Sequence, residues 1–347
     1  MAETETLAEV YGGPYKCRPS MFLQIEEGLK RNPHGRAVVV AHQSSKHLSK
    51  LVTRDEGVTQ QNGGHGLGYL SWTYTELHSA ALKVVAGMIA SGVKPGSTVI
   101  TLIPNGVENL LLLWLSTVMR LTFAPLDVGV LTEARREELN GLLWTLKPGV
   151  VVVPGIEDAK TMNSVLRDIG APLPQLHLQL DAESPTQEGW TTLTSLAQEG
   201  AKQELDWQAL LDKARRYDQE RTAFILFTSG TSSGKPKGCP RHVGGLCQAL
   251  ELQTWGPETG VGSNMLFSTA NFRIIAPFTA VAVWRVGGTV VMPGPTFTPQ
   301  AVLDSVEKHG ITHMLLVPAQ IYSIVAHPSF EDRRTDSLRV LLTGADM

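Results

Sequence analysis

Short apolar runs alternate with segments of helical periodicity along most of this chain. The run from Val150 to Val153 consists of four valines, which is typical of a strand buried on both faces. Thr73 and Glu76 form a capping-box pattern, and apolar residues follow at helical spacing as far as Ile89. Strands that alternate with helices form parallel sheets covered on both faces. The sequence therefore predicts an α/β fold with parallel sheets flanked by helices on both faces.

The same patterns predict further elements. Strands are predicted at Val99–Ile103, Phe123–Leu126, Ala223–Phe227, Met265–Ser268, Thr289–Met292, His313–Val317 and Arg339–Leu342. Helices are predicted from about Val107 and at Glu133–Lys147, Gly245–Thr254, Ile274–Arg285, Pro299–His309 and Ala319–Val325. Residues 154–218 are poorly periodic, and we interpret them as surface connection with some helix around Ala209. We predict two subdomains, residues 1–218 and residues 219–347, the second incomplete at its carboxyl end.

Composition excludes several classes of protein. Of the 347 residues, 42% are apolar and 18% are charged, so the chain can build a sizeable core and is not a disordered protein. The net charge is −3 and the basic pairs are scattered, so no nucleic-acid-binding face is predicted. The longest apolar run, Leu110 to Met119, is about half the length of a membrane span, and it predicts a buried helix instead.

Cysteine and histidine usage gives no metal or disulfide pattern. The three cysteines contain no CxxC pair, and the histidines do not fall at metal-ligand spacing, so no metal-ligating residue is predicted. The amino terminus is acidic and lacks the basic and apolar blocks of a signal peptide. Together these features predict a cytoplasmic protein with reduced thiols.

The segment from Phe227 to Gly238 concentrates the residues that can carry chemistry. Within twelve residues it holds five hydroxyl side chains, three glycines and two lysines, and it begins where an apolar strand ends. Glycines let backbone N–H groups converge on an anion, hydroxyls add donors, and lysine adds positive charge. Ligands of open α/β sheets bind beyond the carboxyl ends of strands. The segment predicts a phosphate-binding loop, and a flexible polar surface loop is the alternative that composition leaves open.

Two familiar nucleotide-binding patterns do not fit. A Walker A loop fails because only three residues separate Gly230 from Gly234, and because Pro236 stands where Ser or Thr is required. A dinucleotide fingerprint at Gly64, Gly66 and Gly68 fails because these glycines follow polar residues rather than a strand.

The segment resembles the phosphate-binding signature of the adenylate-forming, or AMP-binding, superfamily, which includes acyl-CoA synthetases, luciferases and peptide synthetase adenylation domains. Its ending, Pro236-Lys237-Gly238, carries the resemblance most clearly. Further stretches resemble the family in the same order over about residues 20 to 347. They are Trp72–Leu77, Gly92–Gly96, Ala124–Asp127, Gly288–Val291, Thr312–Pro318 and Ser337–Ala345. Several matches in order support one another.

The resemblance implies ATP-dependent activation of a carboxylic acid to an acyl-adenylate, followed by transfer to a thiol of CoA or of a phosphopantetheine carrier protein. It implies ATP and Mg²⁺ as cofactors and assigns Lys237 a catalytic role. The resemblance also assigns nucleotide binding to the loop residues, which are Thr228, Ser229, Gly230, Thr231, Ser232, Ser233, Gly234 and Lys235. Neither the acid nor the choice of acceptor is given by the sequence.

This chain departs from the family pattern in three places. The loop has one residue more than usual between Thr231 and Gly234, and Arg120-Leu121 replaces a small, glycine-containing pair. The region from Asn264 to Arg273 has no obvious match to the family's substrate-gating motif. Asn271, Phe272 and Arg273 are the nearest candidates for it, and we interpret Phe272 as a core aromatic. The family's magnesium-binding Glu, ribose-binding Asp and carboxylate-binding Lys belong to segments after Gly344.

Three interpretations of that last departure stay open: a fragment of a longer protein, a truncated gene model, or a chain that does not catalyse. On the first two, the sequence belongs to an adenylate-forming ligase, and we expect the isolated chain to be inactive. On the third, the chain is a non-catalytic nucleotide-binding or scaffolding protein of the same fold.

Overall fold

The computed structural model describes residues 18–53, 68–170, 173–181, 185–228, 236–252 and 260–344. The strands are β1 Arg36–Val40, β2 Leu70–Thr73, β3 Thr98–Thr101, β4 Thr122–Pro125, β5 Val150–Val153, β6 Leu176–Gln179, β7 Thr222–Thr228, β8 Lys237–His242, β9 Asn264–Leu266, β10 Thr289–Met292, β11 His313–Leu316 and β12 Val340–Thr343. The α-helices are α1 Met21–Arg31, α2 Tyr74–Ala90, α3 Val107–Val118, α4 Arg136–Leu146, α5 Ile156–Ile169, α6 Leu193–Gly200, α7 Trp207–Arg215, α8 Val243–Leu252, α9 Ile275–Arg285, α10 Pro299–His309 and α11 Pro318–Val325.

The strands form two sheets of six. The first sheet has the order β12-β11-β9-β10-β1-β2, and the second has the order β6-β5-β3-β4-β7-β8. In each sheet the strand at one edge, β2 or β8, pairs antiparallel with its neighbour, and the other described pairs are parallel. The predicted α/β fold with mostly parallel sheets is therefore confirmed.

Side chains alternate across each sheet and so build separate apolar clusters. In β1, Val38 and Val40 belong to a central cluster, whereas Val39 packs with residues of α10 on the outer face. In β5, Val150 and Val152 join the same central cluster, whereas Val151 and Val153 pack with α4 and α5. The result is a central layer of helices between the sheets, with further helices outside each sheet.

The helix α3 lies inside the central layer. Every residue from Val107 to Val118 is buried, as a helix that is apolar on all sides should be. This confirms that the long apolar run forms a buried helix. The capping box of α2 is also confirmed, because the Thr73 hydroxyl accepts a hydrogen bond from the Glu76 amide, and the Glu76 carboxylate accepts one from the Thr73 amide.

In residues 154–218, the predicted helix around Ala209 is confirmed as α7, whereas the interpretation of the rest as surface connection was wrong. The described part of this region contains α5, β6, α6 and α7, and β6 pairs in parallel with β5. Its helices are amphipathic, so each buries only one stripe, and polar residues dominate the sequence. The division at residue 218 stays a prediction, and both sheets contain strands from either side of it.

In the part of the chain that the structure describes, no helix combines the length and the apolar character needed to cross a bilayer.

Candidate active site

The predicted phosphate loop connects two antiparallel strands. The register of β7 and β8 pairs Thr228 with Lys237, so the last residue of one strand stands opposite the first residue of the other. Both residues are exposed. The candidates between them, Ser229, Gly230, Thr231, Ser232, Ser233, Gly234 and Lys235, lie outside the described residues. Of the predicted site, the structure therefore brings Thr228 and Lys237 together, and the roles assigned to all of these residues stay predictions.

The strand β8 was not predicted, and Pro240 explains why. Proline cannot donate to a strand ladder and is confined to edge strands or bulges, so it argues against a strand in a sequence pattern. Here β8 is the edge strand of the second sheet, and Pro240 pairs with Ile225. Once the strand is recognised, residues two apart share one face. Lys237, Cys239 and Arg241 then form a row that sequence reasoning missed.

Two residues of that row, Cys239 and Arg241, line a cleft of about 770 Å³ between the two sheets. On the side of the second sheet, the cleft is lined by Leu226, Phe227, Thr228, Cys239 and Arg241. On the side of the first sheet, it is lined by residues at or beyond the carboxyl ends of β9, β11 and β12 and by the segments that follow them. These are Ser268, Thr269, Ala270, Arg273, Ile274, Ile275, Leu315, Val317, Gln320, Thr343 and Gly344. Carboxyl ends of parallel strands are where ligands of α/β sheets bind.

Two buried asparagines fix one wall of the cleft. The side-chain amide of Asn105, after β3, donates to the Thr269 carbonyl at 3.1 Å, and its carbonyl oxygen accepts from the Asn271 amide at 3.1 Å. The Asn271 side chain donates to the Ile103 carbonyl at 2.7 Å. Three hydrogen bonds thus join the segment after β9 to the second sheet, and Asn271 acts as a structural bridge.

The other two residues of the candidate gating segment behave differently from expectation. Phe272 is only partly buried and lines a smaller cavity of about 290 Å³, so its interpretation as a core aromatic was wrong. The guanidinium of Arg273 lies 5.3 Å from the centre of the Phe272 ring, within cation–π range. Arg273 lines both this cavity and the cleft, as Thr228 does.

Three charged side chains of the smaller cavity, Asp127, Arg135 and Glu138, pair with one another. Arg135 donates to Asp127 at 2.6 Å and makes two bonds of 2.8 Å to Glu138. Burial would raise the pKa of Asp127, but the hydrogen bonds from Arg135 and from the Gly129 amide outweigh it and hold that pKa below its ordinary value. The same two carboxylates raise the pKa of Arg135. The guanidinium of Arg135 is therefore already paired with carboxylates of the protein itself.

The described residues of the cleft supply few ligands for a metal ion. No group of three or more His, Cys, Asp or Glu side chains within the described ranges could hold a metal ion. The described residues that line the cleft supply hydroxyl, amide and carbonyl oxygens but no carboxylate. Because Mg²⁺ is normally held by one or two carboxylates in addition to substrate phosphates, these residues do not form a Mg²⁺ site.

The chain was compared with known families and proteins. A family model described as "AMP-binding enzyme" matches residues 53–347. An acyl-CoA ligase of the fungus Pestalotiopsis microspora is 34% identical over 340 residues, which cover 98% of this chain and 58% of the ligase. An indoleacetate-CoA ligase of Aromatoleum aromaticum is 25% identical, over 86% of this chain and 55% of that protein. The chain thus spans somewhat more than half the length of these relatives.

Solved structures share the fold. The luciferase-like enzyme of the mealworm Zophobas morio matches with a TM-score of 0.72 and 18% identity, covering 97% of this chain and 68% of that one. The ATP-bound structure of MatB from Rhodopseudomonas palustris matches with a TM-score of 0.67 and 19% identity, covering 94% of this chain and 55% of that one. At these identities the likeness concerns the fold alone.

Proposed function

The chain belongs to the AMP-binding enzyme family, and on that premise we propose that it is part of an ATP-dependent ligase that activates a carboxylic acid as an acyl-adenylate. One observation carries the proposal. Thr228 and Lys237, which flank the hydroxyl- and glycine-rich segment in the sequence, pair at the end of the β7–β8 hairpin, and Thr228 lines an apolar cleft at the carboxyl ends of strands from the first sheet. A phosphate-binding element next to a cavity for an organic acid is what the first step of such a reaction requires.

In the proposed first step, a carboxylate oxygen of the acid attacks the α-phosphorus of ATP. A carboxyl–phosphate bond forms, the bond to the β-phosphate breaks, and pyrophosphate leaves with its electron pair. Negative charge on the phosphates is stabilised by fixed donors. The hydroxyl of Thr228 and the ammonium of Lys237 would supply two such donors, because they stand opposite each other at the base of the loop.

In the second step, a thiol attacks the acyl carbon and AMP leaves. The two relatives described above are named as CoA ligases, and a salicyl-AMP ligase of Mycobacterium tuberculosis is also named as a carrier-protein synthetase. We propose a thiol acceptor of one of these two kinds for this protein. Cys239 and Cys247, the described cysteines, form no disulfide with each other, which supports the proposal of a cytoplasmic, reducing location.

Exchange of radioactive pyrophosphate into ATP by the whole ligase of which this chain is proposed to be part, dependent on an added acid, tests the function. Lys237→Ala should lower the exchange rate by about 10- to 150-fold, the loss expected when a charged donor to phosphate is removed. Lys213→Ala is a matched control, because Lys213 is an exposed lysine on α7, away from the hairpin. An exchange rate in the Lys237 variant equal to that of the control would contradict the assignment.

A second function, nucleotide binding without catalysis, is favoured by one observation. The described lining of the cleft has no carboxylate for the metal ion that usually accompanies ATP. Calorimetric titration with MgATP separates the two functions when it is combined with exchange over a panel of aliphatic, aromatic and amino acids. Binding with acid-dependent exchange supports the ligase, whereas binding without exchange supports the alternative.

A further inference from the structure

The described side chains that line the cleft carry positive charge only. Its described lining contains two guanidinium groups, Arg241 and Arg273, and no Asp or Glu. Neither arginine forms an ion pair within the described part of the chain, in contrast to Arg135 in the neighbouring cavity. Both are exposed and keep their hydration in the free protein. A ligand that enters the cleft displaces that water. It must then replace the hydrogen bonds that the water made to the guanidinium groups, and an anionic oxygen does this best.

The two arginines lie toward different ends of the cleft. Arg273 shares both cavities with Thr228, and so lies on the side of this last described residue before the predicted phosphate loop. Arg241 pairs with Phe224, four residues before Thr228 along β7. At about 3.3 Å per residue, these two positions on β7 are about 13 Å apart. Arg241 is therefore remote from the site where the acid would react with ATP, and it is poorly placed to serve the triphosphate.

Between the two ends the cleft is mostly apolar. Leu226, Ile274, Ile275, Leu315 and Val317 contribute to its lining. An acid with an apolar body would bury that body here, at about 25 cal/mol for each Å² removed from water. A purely apolar tail would also strip water from the Arg241 guanidinium without replacing its hydrogen bonds, and desolvating a charge without a partner is unfavourable.

We propose that the substrate is an acid with an apolar body and a second anionic group at its far end, which Arg241 binds. This inference rests on the ligase function proposed above and names its substrate class: α,ω-dicarboxylic acids or carboxyaryl acids. Arg241 is then a specificity-determining residue. Its planar guanidinium can bind a carboxylate through two parallel hydrogen bonds, which an ammonium cannot do.

Matched pairs of acids test the inference in the exchange assay. Decanedioic acid is compared with decanoic acid, and para-carboxycinnamic acid with para-methylcinnamic acid. The quantity measured is the ratio of kcat/KM within each pair. The wild-type protein should favour the anion-bearing member, and Arg241→Gln should lower that ratio by about 10- to 150-fold. Arg241→Lys should restore part of it. Arg216→Gln, an exposed arginine beyond α7, is the control.

Each contrary result has its own meaning. A wild-type ratio of one or less overturns the substrate class while leaving the ligase function intact. An equal loss for both members of a pair in Arg241→Gln means that the residue acts through structure, and this also overturns the inference. A raised KM for ATP or CoA at an unchanged ratio assigns Arg241 to another ligand. Absence of exchange with every acid, although ATP binds, contradicts the ligase function itself and the inference with it.

Discussion

A partly buried ion pair that the proposed reaction does not use lies at the amino end of α3. Nε2 of His47 donates to the Glu108 carboxylate at 2.5 Å, and the Gln43 amide donates to the same carboxylate at 2.8 Å. The hydrogen bond to Glu108 holds the pKa of His47 above its ordinary value despite partial burial. Burial would raise the pKa of Glu108, but His47 and Gln43 hold it below its ordinary value.

The two shifts define a pH window for the stability that this pair contributes. A raised histidine pKa stabilises the fold at low pH, and this stabilisation is lost as the pH rises through the raised value. A lowered glutamate pKa stabilises the fold at high pH, and this stabilisation is lost as the pH falls through the lowered value. The pair therefore contributes most between the lowered pKa of Glu108 and the raised pKa of His47.

His47→Ala should cost about 1.5–3 kcal/mol of unfolding free energy at about pH 5.5, and clearly less at about pH 8.5, where an ordinary histidine is neutral. Urea unfolding at the two pH values measures this difference. His47→Gln keeps a donor but does not titrate, so its cost should vary less with pH. Equal costs for His47→Ala at both pH values would mean that the pair carries no charge in the folded protein.

At the scale of elements, two helices approach each other through glycine. A Cβ added to Gly87 in α2 would lie 2.1 Å from the carbonyl oxygen of Leu196 in α6, and one added to Gly200 would lie 2.3 Å from the Gly87 amide. Backbone atoms cannot yield to such contacts as flexible side chains do. The short helix α6, which sequence periodicity did not reveal, is therefore held against α2 by close backbone contact.

Gly87→Ala should lower the free energy of unfolding by about 1–3 kcal/mol or more, because overpacking a tight contact forces the backbone apart. Gly141→Ala is the matched control, since Gly141 is also inside a helix, α4, but has open space around its Cα. That change should raise stability by about 0.5–1 kcal/mol through better helix propensity. A destabilisation of the same size in both variants would argue against the close contact.

Elements with strong local signals could be predicted from the sequence, and those defined by distant partners could not. The capping box of α2 and the four valines of β5 are local, and both are found where the sequence indicated them. The strand β8 contains Pro240, which has no backbone N–H to donate. The strand can still form because it lies at the edge of the sheet, where that donor is not needed. The cationic face of the cleft depends on that strand, so Arg241 could not be recognised in advance.

At the scale of the whole molecule, the two sheets are tied together beside the cleft by Asn105 and Asn271. Asn271→Ala removes the donor to the Ile103 carbonyl and leaves a buried acceptor unsatisfied. The expected cost is about 1–3 kcal/mol of unfolding free energy. We also expect a higher KM for the acid, because the segment that carries Arg273 loses its anchor.

Urea unfolding and the exchange assay measure the two effects of Asn271→Ala. Asn140→Ala is the control, because the side-chain oxygen of Asn140 in α4 has no hydrogen-bond partner in the described structure. Asn271→Asp keeps the size of the side chain but places a carboxylate against a carbonyl oxygen, so it should destabilise at least as much as alanine. Wild-type stability in both Asn271 variants would show that the bridge contributes nothing.

The order of the strands also has a consequence for synthesis of the chain. The hydroxyl of Thr289, in β10, donates to the carbonyl of Arg36, in β1, across 253 residues of sequence. At the usual 5–20 residues per second, β1 leaves the ribosome about 10–50 seconds before its parallel partner exists. For that interval, four consecutive buried residues of β1 and its antiparallel neighbour β2 have no sheet to join. A nascent chain of this kind offers a chaperone an apolar strand to bind until β10 emerges.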